Sequence, residues 1–163
     1  MYVDKLKTML PDYTFVGDEP MKVTIDAKKY GYTGCVLSDL ITRQGIVPEF
    51  ADPDYVVFML NYTRENIIAL ASVLDSIPKC SPITEEVPNI KPLCRRLSPR
   101  RALMAKNKLV TIDEALGRVL AAPSVSCPPA VPIAVCGEVI DNNTIELFHY
   151  YGIKNIRVIE DQI

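Results

Sequence analysis

The period of the apolar positions changes repeatedly along this chain, and each period predicts an element. Val3, Leu6, Met9 and Leu10 recur at helical spacing until Pro11 stops them, which predicts a short amphipathic N-terminal helix. Lys22 to Asp26 alternates polar and apolar residues, as a half-buried strand does. Gly31-Tyr32-Thr33-Gly34 then predicts a turn with Thr33 as N-cap. The helix it opens carries Val36, Leu37, Leu40 and Ile41 on one face and ends at Gly45. Ile46–Phe50 and Tyr55–Leu60 predict two strands joined by the turn Ala51-Asp52-Pro53-Asp54. The second run has no polar alternation, which suits a strand buried on both faces. Thr63 caps a further helix with Ile67, Leu70, Ala71, Leu74 and Ile77 on one side, and Pro78 marks its end.

The pattern then breaks. Residues 78–99 hold Pro78, Pro82, Pro88, Pro92 and Pro99 among polar residues, which predicts a linker or an extended wrap. Periodicity restarts after Leu97-Ser98-Pro99. Thr111-Ile112-Asp113-Glu114 has capping-box spacing and predicts a short helix ending near Gly117. Asp141 caps a helix with Ile145, Leu147, Phe148 and Tyr151, Gly152 ends it, and Ile156–Ile159 predicts a last strand. Between them lies Ser126–Glu138, where Pro128, Pro129 and Pro132 lead into an apolar run closed by Gly137-Glu138. Proline fixes φ and donates no backbone hydrogen bond, so this stretch is stiff, and Val131 is held extended by Pro132. Ile133-Ala134-Val135 predicts a short buried strand, and Gly137 permits the turn that delivers the Glu138 carboxylate. Two roles for Glu138 stay open: lining a site entrance, or accepting backbone N–H groups at the start of the Asp141 helix.

Composition narrows the class. The chain has 163 residues, 48% of them hydrophobic, enough for one domain or two small ones with real cores. No apolar run approaches a membrane span, and Met1-Tyr2-Val3-Asp4-Lys5 has no signal-peptide core, so a cytoplasmic protein is expected. A net charge of −2 gives no general attraction to nucleic acid or anionic membrane. The five cysteines form no C-x-x-C pair and there is one histidine, His149, which argues against a disulfide framework and a zinc site.

Signatures of self-contained catalysis are missing: the chain has no P-loop, no G-x-G-x-x-G and no G-x-S-x-G. Asp52 and Asp54 suit a turn better than a catalytic pair. Glu49, after Pro48 at a loop-to-strand junction, is a candidate cleft carboxylate with a surface strand end as its alternative. Lys91, Arg95, Arg96, Arg100, Arg101 and Lys106 form a basic run without an intervening acid. No aromatic residue interleaves to stack on bases, so a solvated connector or an intersubunit ion-pair surface is favoured over nucleic acid.

Three blocks carry a resemblance to a known family. They are Pro20–Ile25 with Gly31-Tyr32-Thr33-Gly34, then Gly45–Glu49 with Tyr55–Asn61. The third runs from Leu97-Ser98-Pro99 through Ile112–Arg118 to Pro128–Pro132 and Gly137-Glu138. Together they resemble the C-terminal part of the bacterial ornithine/lysine/arginine decarboxylases, which are similar in fold to aspartate aminotransferase and use pyridoxal phosphate. The resemblance implies an α/β (α+β) fold. Residues 1–78 would be the small aminotransferase-like subdomain, 79–97 a linker and 98–163 the decarboxylase family's C-terminal domain. It departs from the family pattern at Cys127, Ala130, Cys136 and Ala122-Pro123. The family's Schiff-base lysine lies in a Ser-x-His-Lys stretch, whereas His149 is followed here by Tyr150. The resemblance therefore implies no catalytic, cofactor or metal residue in this chain, with pyridoxal phosphate held by the full-length parent. Its partners would be the remainder of a decarboxylase chain and a homodimer partner. Pro128, Pro129, Pro132, Gly137, Glu138 and Glu49 are the candidate entrance or structural residues. The alternatives are a free-standing binding or regulatory module from a truncated paralogue, and a nucleic-acid or anion binder using the Arg95 to Arg101 cluster.

Overall fold

In a computed structural model, residues 2–19, 21–59, 63–127 and 131–160 are described. The chain divides into two compact units, one ending at Glu85 and one beginning at Glu86.

The first unit lays helices on one face of an antiparallel sheet. Its elements are α1 (Tyr2–Met9), β1 (Phe15–Val16), β2 (Lys22–Asp26), α2 (Gly34–Thr42), β3 (Phe50–Ala51), β4 (Tyr55–Met59) and α3 (Arg64–Ser76). The sheet order is β1-β2-β4-β3. Val23 stands opposite Phe58 and Ile25 opposite Val56, so four apolar side chains share one face. All four are buried with Leu6 of α1, Leu37 and Ile41 of α2, and Ile67, Leu70 and Leu74 of α3. The caps are where the pattern predicts them: Thr33 accepts from Val36 N and Thr63 from Asn66 N, both at 3.3 Å. Two expectations fail. Ile46–Pro48 is not a strand, because pairing with β4 begins only where Glu49 N–H donates to the Val57 carbonyl and continues through Phe50 and Ala51. Nor is β4 buried on both faces. Val56 and Phe58 are buried while Tyr55 and Met59 are exposed, the alternation of an antiparallel sheet with one packed face.

The second unit contains α4 (Pro99–Met104), β5 (Asn107–Thr111), β6 (Ser124–Cys127), β7 (Val131–Val135), α5 (Asn142–Tyr150) and β8 (Asn155–Ile159). β5 pairs with β8, and β6 with β7, both antiparallel. Single bridges Leu120–Val158, Val119–Val139 and Arg95–Glu138 extend the β5–β8 pair across three further segments. Phe148, Leu147, Ile140, Leu120 and Val158 form the main core. A smaller cluster of Leu97, Ala102, Val119, Ala121, Cys136 and Ile159 sits beside it. Asp141 caps α5 as expected, accepting from Thr144 N at 2.8 Å and Thr144 Oγ1 at 2.7 Å.

The predicted helix after Thr111 is only a 3₁₀ turn at Asp113–Ala115. Thr111 belongs to β5, and the Glu114 carboxylate reaches back to accept both its N–H (3.1 Å) and its hydroxyl (2.9 Å). Those two hydrogen bonds hold the Glu114 carboxyl below its usual range. Residues expected to link the units attach at both ends. Cys80 N–H donates to the Tyr30 carbonyl and Ile83 N–H to that of Lys28, while the Cys94 carbonyl accepts from Val139 N–H.

Candidate functional site

Gly137 and Glu138 form a tight turn, with Glu138 N–H donating to the Val135 carbonyl. Gly137 has φ +91°, a left-handed conformation that other L-residues resist. A Cβ here would lie 2.2 Å from the Leu97 carbonyl oxygen, so the position admits only glycine. The Gly137 carbonyl accepts from Arg96 N (2.9 Å) and Leu97 N (3.1 Å), and its own N–H donates to Leu120 O at 2.9 Å. One residue therefore joins segments 95–97, 119–121 and 135–139.

Glu138 completes the junction. Its backbone accepts from Leu120 N at 2.9 Å. Its Oε2 accepts from Val135 N at 2.8 Å, and its Oε1 lies 3.6 Å from Nη2 of Arg95. The side chain is only 15% exposed. A carboxylate bonded to a backbone N–H and flanked by a guanidinium is a turn lock. Its donor is Val135, not the start of the Asp141 helix, where Asp141 fills that place itself. Pro132 is exposed in β7 opposite Ser126, next to a register irregularity between Val125 and Ser126, where a missing N–H is tolerated. Pro128 and Pro129 lie outside the described residues. Glu49 belongs to the first unit, is exposed, and makes no ion pair among the described residues.

The sequence pattern does not reveal Lys28. Its side chain is buried in the first unit, with Nζ 3.0 Å from Asp54 Oδ1 and donating to the Glu85 carbonyl at 2.6 Å. Beside it, buried Asp52 accepts from Asp54 N (2.8 Å) and Tyr55 N (2.6 Å), so the pair expected as turn residues forms an Asx turn. Burial pushes the Asp52 carboxyl above its usual range, outweighing those two hydrogen bonds. Tyr13 stacks on Tyr30, with centroids 3.8 Å apart, and donates to the Leu74 carbonyl at 2.8 Å. Burial and the Tyr30 hydroxyl raise the Tyr13 pKa far above its ordinary value. The only cue to this cluster is the spacing of aromatics on either side of β2. His149 pairs with Asp113 at 3.0 Å on the surface. Among the described residues no three His, Cys, Asp or Glu side chains gather as metal ligands.

Strands β6 and β7 and the Gly137–Glu138 junction fall inside a stretch, residues 93–157, that matches the model of the Orn/Lys/Arg decarboxylase C-terminal domain. Over that stretch the chain is similar to the C-terminal region of the Orn/Lys/Arg decarboxylases. It is 30% identical over 145 residues to an arginine decarboxylase of Halalkalibacterium halodurans, an alignment covering 78% of this chain and 28% of the relative. An arginine decarboxylase of Bacillus anthracis is 28% identical over 146 residues, covering 83% and 29%. The solved Francisella novicida lysine decarboxylase LdcF shares the fold with TM-score 0.62 and 17% identity, over 89% of this chain and 32% of its own. The E. coli constitutive lysine decarboxylase does so with TM-score 0.59 and 14% identity, over 87% and 32%. The chain thus spans under a third of the length of these relatives. Among the described residues no helix is long and apolar enough to cross a membrane.

Proposed function

We propose that this chain is the C-terminal, non-catalytic portion of a cytoplasmic, pyridoxal-phosphate-dependent decarboxylase of ornithine, lysine or arginine. It contributes to the active-site entrance and the homodimer of the full-length enzyme. The observation that carries the reading is the Gly137–Glu138 junction inside the family-matched domain: it ties three segments together and holds the Glu138 carboxylate between Val135 N–H and Arg95. Glu138 in this account fixes the hairpin and does not touch substrate.

The residues present do not fit the cofactor. Pyridoxal phosphate, when bound, supplies the electron sink for decarboxylation, and the protein must offer an amine to hold it. Lys28 is the buried lysine among the described residues, and its ammonium is engaged by Asp54 and the Glu85 carbonyl. No lysine stands in a Ser-x-His-Lys context. The cofactor site and the chemistry therefore belong to the part of the parent that this chain does not cover.

Sequencing the gene upstream of the Met1 codon separates this reading from a free-standing regulatory module. An open frame running into a Ser-x-His-Lys stretch is the expected result. A stop codon followed by a ribosome-binding site overturns it.

A further inference from the structure

Residues 78–85 follow α3 and run along the first unit as neither helix nor strand. They are exposed apart from the half-buried Ile83, so little apolar contact holds them. They are held instead by one short feature, the 3₁₀ turn Lys28–Tyr30 and the two residues after it. At the near end the Tyr32 hydroxyl donates to the Pro78 carbonyl at 2.7 Å, and Cys80 N–H donates to the Tyr30 carbonyl at 3.2 Å. Cys80 also lies over Gly31, where an added Cβ would come within 2.5 Å of the Cys80 Cβ. At the far end Ile83 N–H donates to the Lys28 carbonyl at 3.0 Å, and the buried Lys28 ammonium donates to the Glu85 carbonyl at 2.6 Å. The turn beneath is fixed independently, since Tyr30 stacks on Tyr13 and Lys28 pairs with Asp54.

We propose that residues 78–85 are a strap that opens and closes as one piece, latched at its far end by Lys28. A segment held by exposed hydrogen bonds opens at a lower free energy than a packed core does. Its cooperativity comes from burial of the latch. Lifting the Glu85 carbonyl off Lys28 leaves a buried ammonium short of an acceptor, which is costly until water reaches it. The segment must move far enough to let that water in, so partial lifting at this end is disfavoured. Closed, the strap keeps the Lys28 amine out of solvent. Open, it exposes an amine beside the Asp54 carboxylate and adds residues 78–85 to the linker that follows. The proposal uses no part of the decarboxylase reading, and its test measures no activity.

Native-state hydrogen exchange on the full chain provides the test. The Cys80 and Ile83 amides are expected to open with one common free energy, below that of the amides of β2 and β4. Tyr32→Phe separates a strap from simple fraying, because the hydroxyl it removes bonds at Pro78 and Cys80 and not at Ile83. A strap that moves as one piece speeds exchange of both amides about fivefold, the worth of one hydrogen bond. Lys28→Met, with a far-UV melt confirming the fold, acts from the other end and speeds Cys80 as well as Ile83. Acylation by an amine-reactive ester, mapped by mass spectrometry, gives a second readout. Lys28 reacts more slowly than the exposed Lys79 in the parent chain, and faster in Tyr32→Phe. Faster exchange at Cys80 alone in Tyr32→Phe, or protection of Cys80 and Ile83 equal to that of the sheet, overturns the proposal. So does a folded Lys28→Met chain whose Cys80 amide is unchanged, or Lys28 acylated as fast as Lys79 in the parent.

Discussion

The two units reach stability by different means. In the first, three helices cover one face of a sheet, and the core is a single cluster of large residues such as Phe58, Leu70 and Leu74. In the second, α5 covers one side, but the two strand pairs are joined to neighbouring segments by single bridges at Leu120, Val119 and Arg95, and half of its second cluster is small: Ala102, Ala121 and Cys136. A packed layer spreads its stabilisation over many contacts, so no one residue decides the fold. A stitched sheet concentrates it where segments cross, and here three cross at Gly137–Glu138. The second unit therefore depends on a two-residue junction as well as on its Phe148 core, while the first unit depends on its packed layer.

The largest effect expected from this contrast is at Gly137. Gly137→Ala forces a left-handed alanine against the Leu97 carbonyl and costs about 2–5 kcal/mol. Denaturant unfolding followed by hydrogen exchange locates the loss in residues 86–160, with the first unit's protection unchanged. Uniform loss in both units breaks the contrast. Next comes Lys28→Met, which removes the ammonium from beside the partly buried Asp54 carboxylate and costs about 2–3 kcal/mol in the first unit. An unchanged melting temperature means that packing alone holds residues 80–85 in place.

Glu138→Gln is smaller. The amide oxygen still accepts from Val135 N, and only the Arg95 contact is lost, so about 1 kcal/mol is expected. In a full-length decarboxylase carrying this sequence, KM for the basic amino acid stays unchanged. A raised KM with no loss of stability moves Glu138 to the entrance and reverses its role here.

Much of this contrast is legible in the residues. The first unit's helices announce themselves because caps at Thr33 and Thr63 coincide with apolar periodicity, so local and tertiary preferences agree. Gly137-Glu138 is visible as a turn with a carboxylate, but its partners Leu97, Leu120 and Val135 are not, since no periodicity encodes a single bridge. Strand β5 is missed because Asn107-Lys108-Leu109-Val110-Thr111 has its pattern set by pairing with β8, far away in sequence. The capping-box spacing at Thr111 misleads for the same reason: Glu114 does bond back to Thr111, but onto a strand end. Lys28 carries no signal, because burial of a lysine follows from the Asp54 and Glu85 groups that fold around it.

The smallest effect is a pH dependence confined to the first unit. Burial raises the folded-state pKa of Asp52. Its protonated form is thus favoured by folding, and that stabilisation is present below the ordinary carboxylate pKa and lost as pH rises through the folded value. Asp52→Asn keeps the acceptor for Asp54 N and Tyr55 N without the charge. Its melting temperature relative to the parent chain is expected to be higher at neutral pH than near pH ~4. Parallel melting curves across that range show instead that Asp52 is no more costly to ionise than a surface carboxylate.

In the function proposed above, this chain supplies a rigid C-terminal structure and not the cofactor chemistry. Titrating the full chain with pyridoxal phosphate, reducing with borohydride and mapping any adduct by mass spectrometry tests it most directly. The account predicts no stoichiometric absorbance near ~420 nm and no reduced adduct at Lys28, whose ammonium is held by Asp54. A stoichiometric, borohydride-trapped adduct at Lys28 or any other single lysine contradicts it.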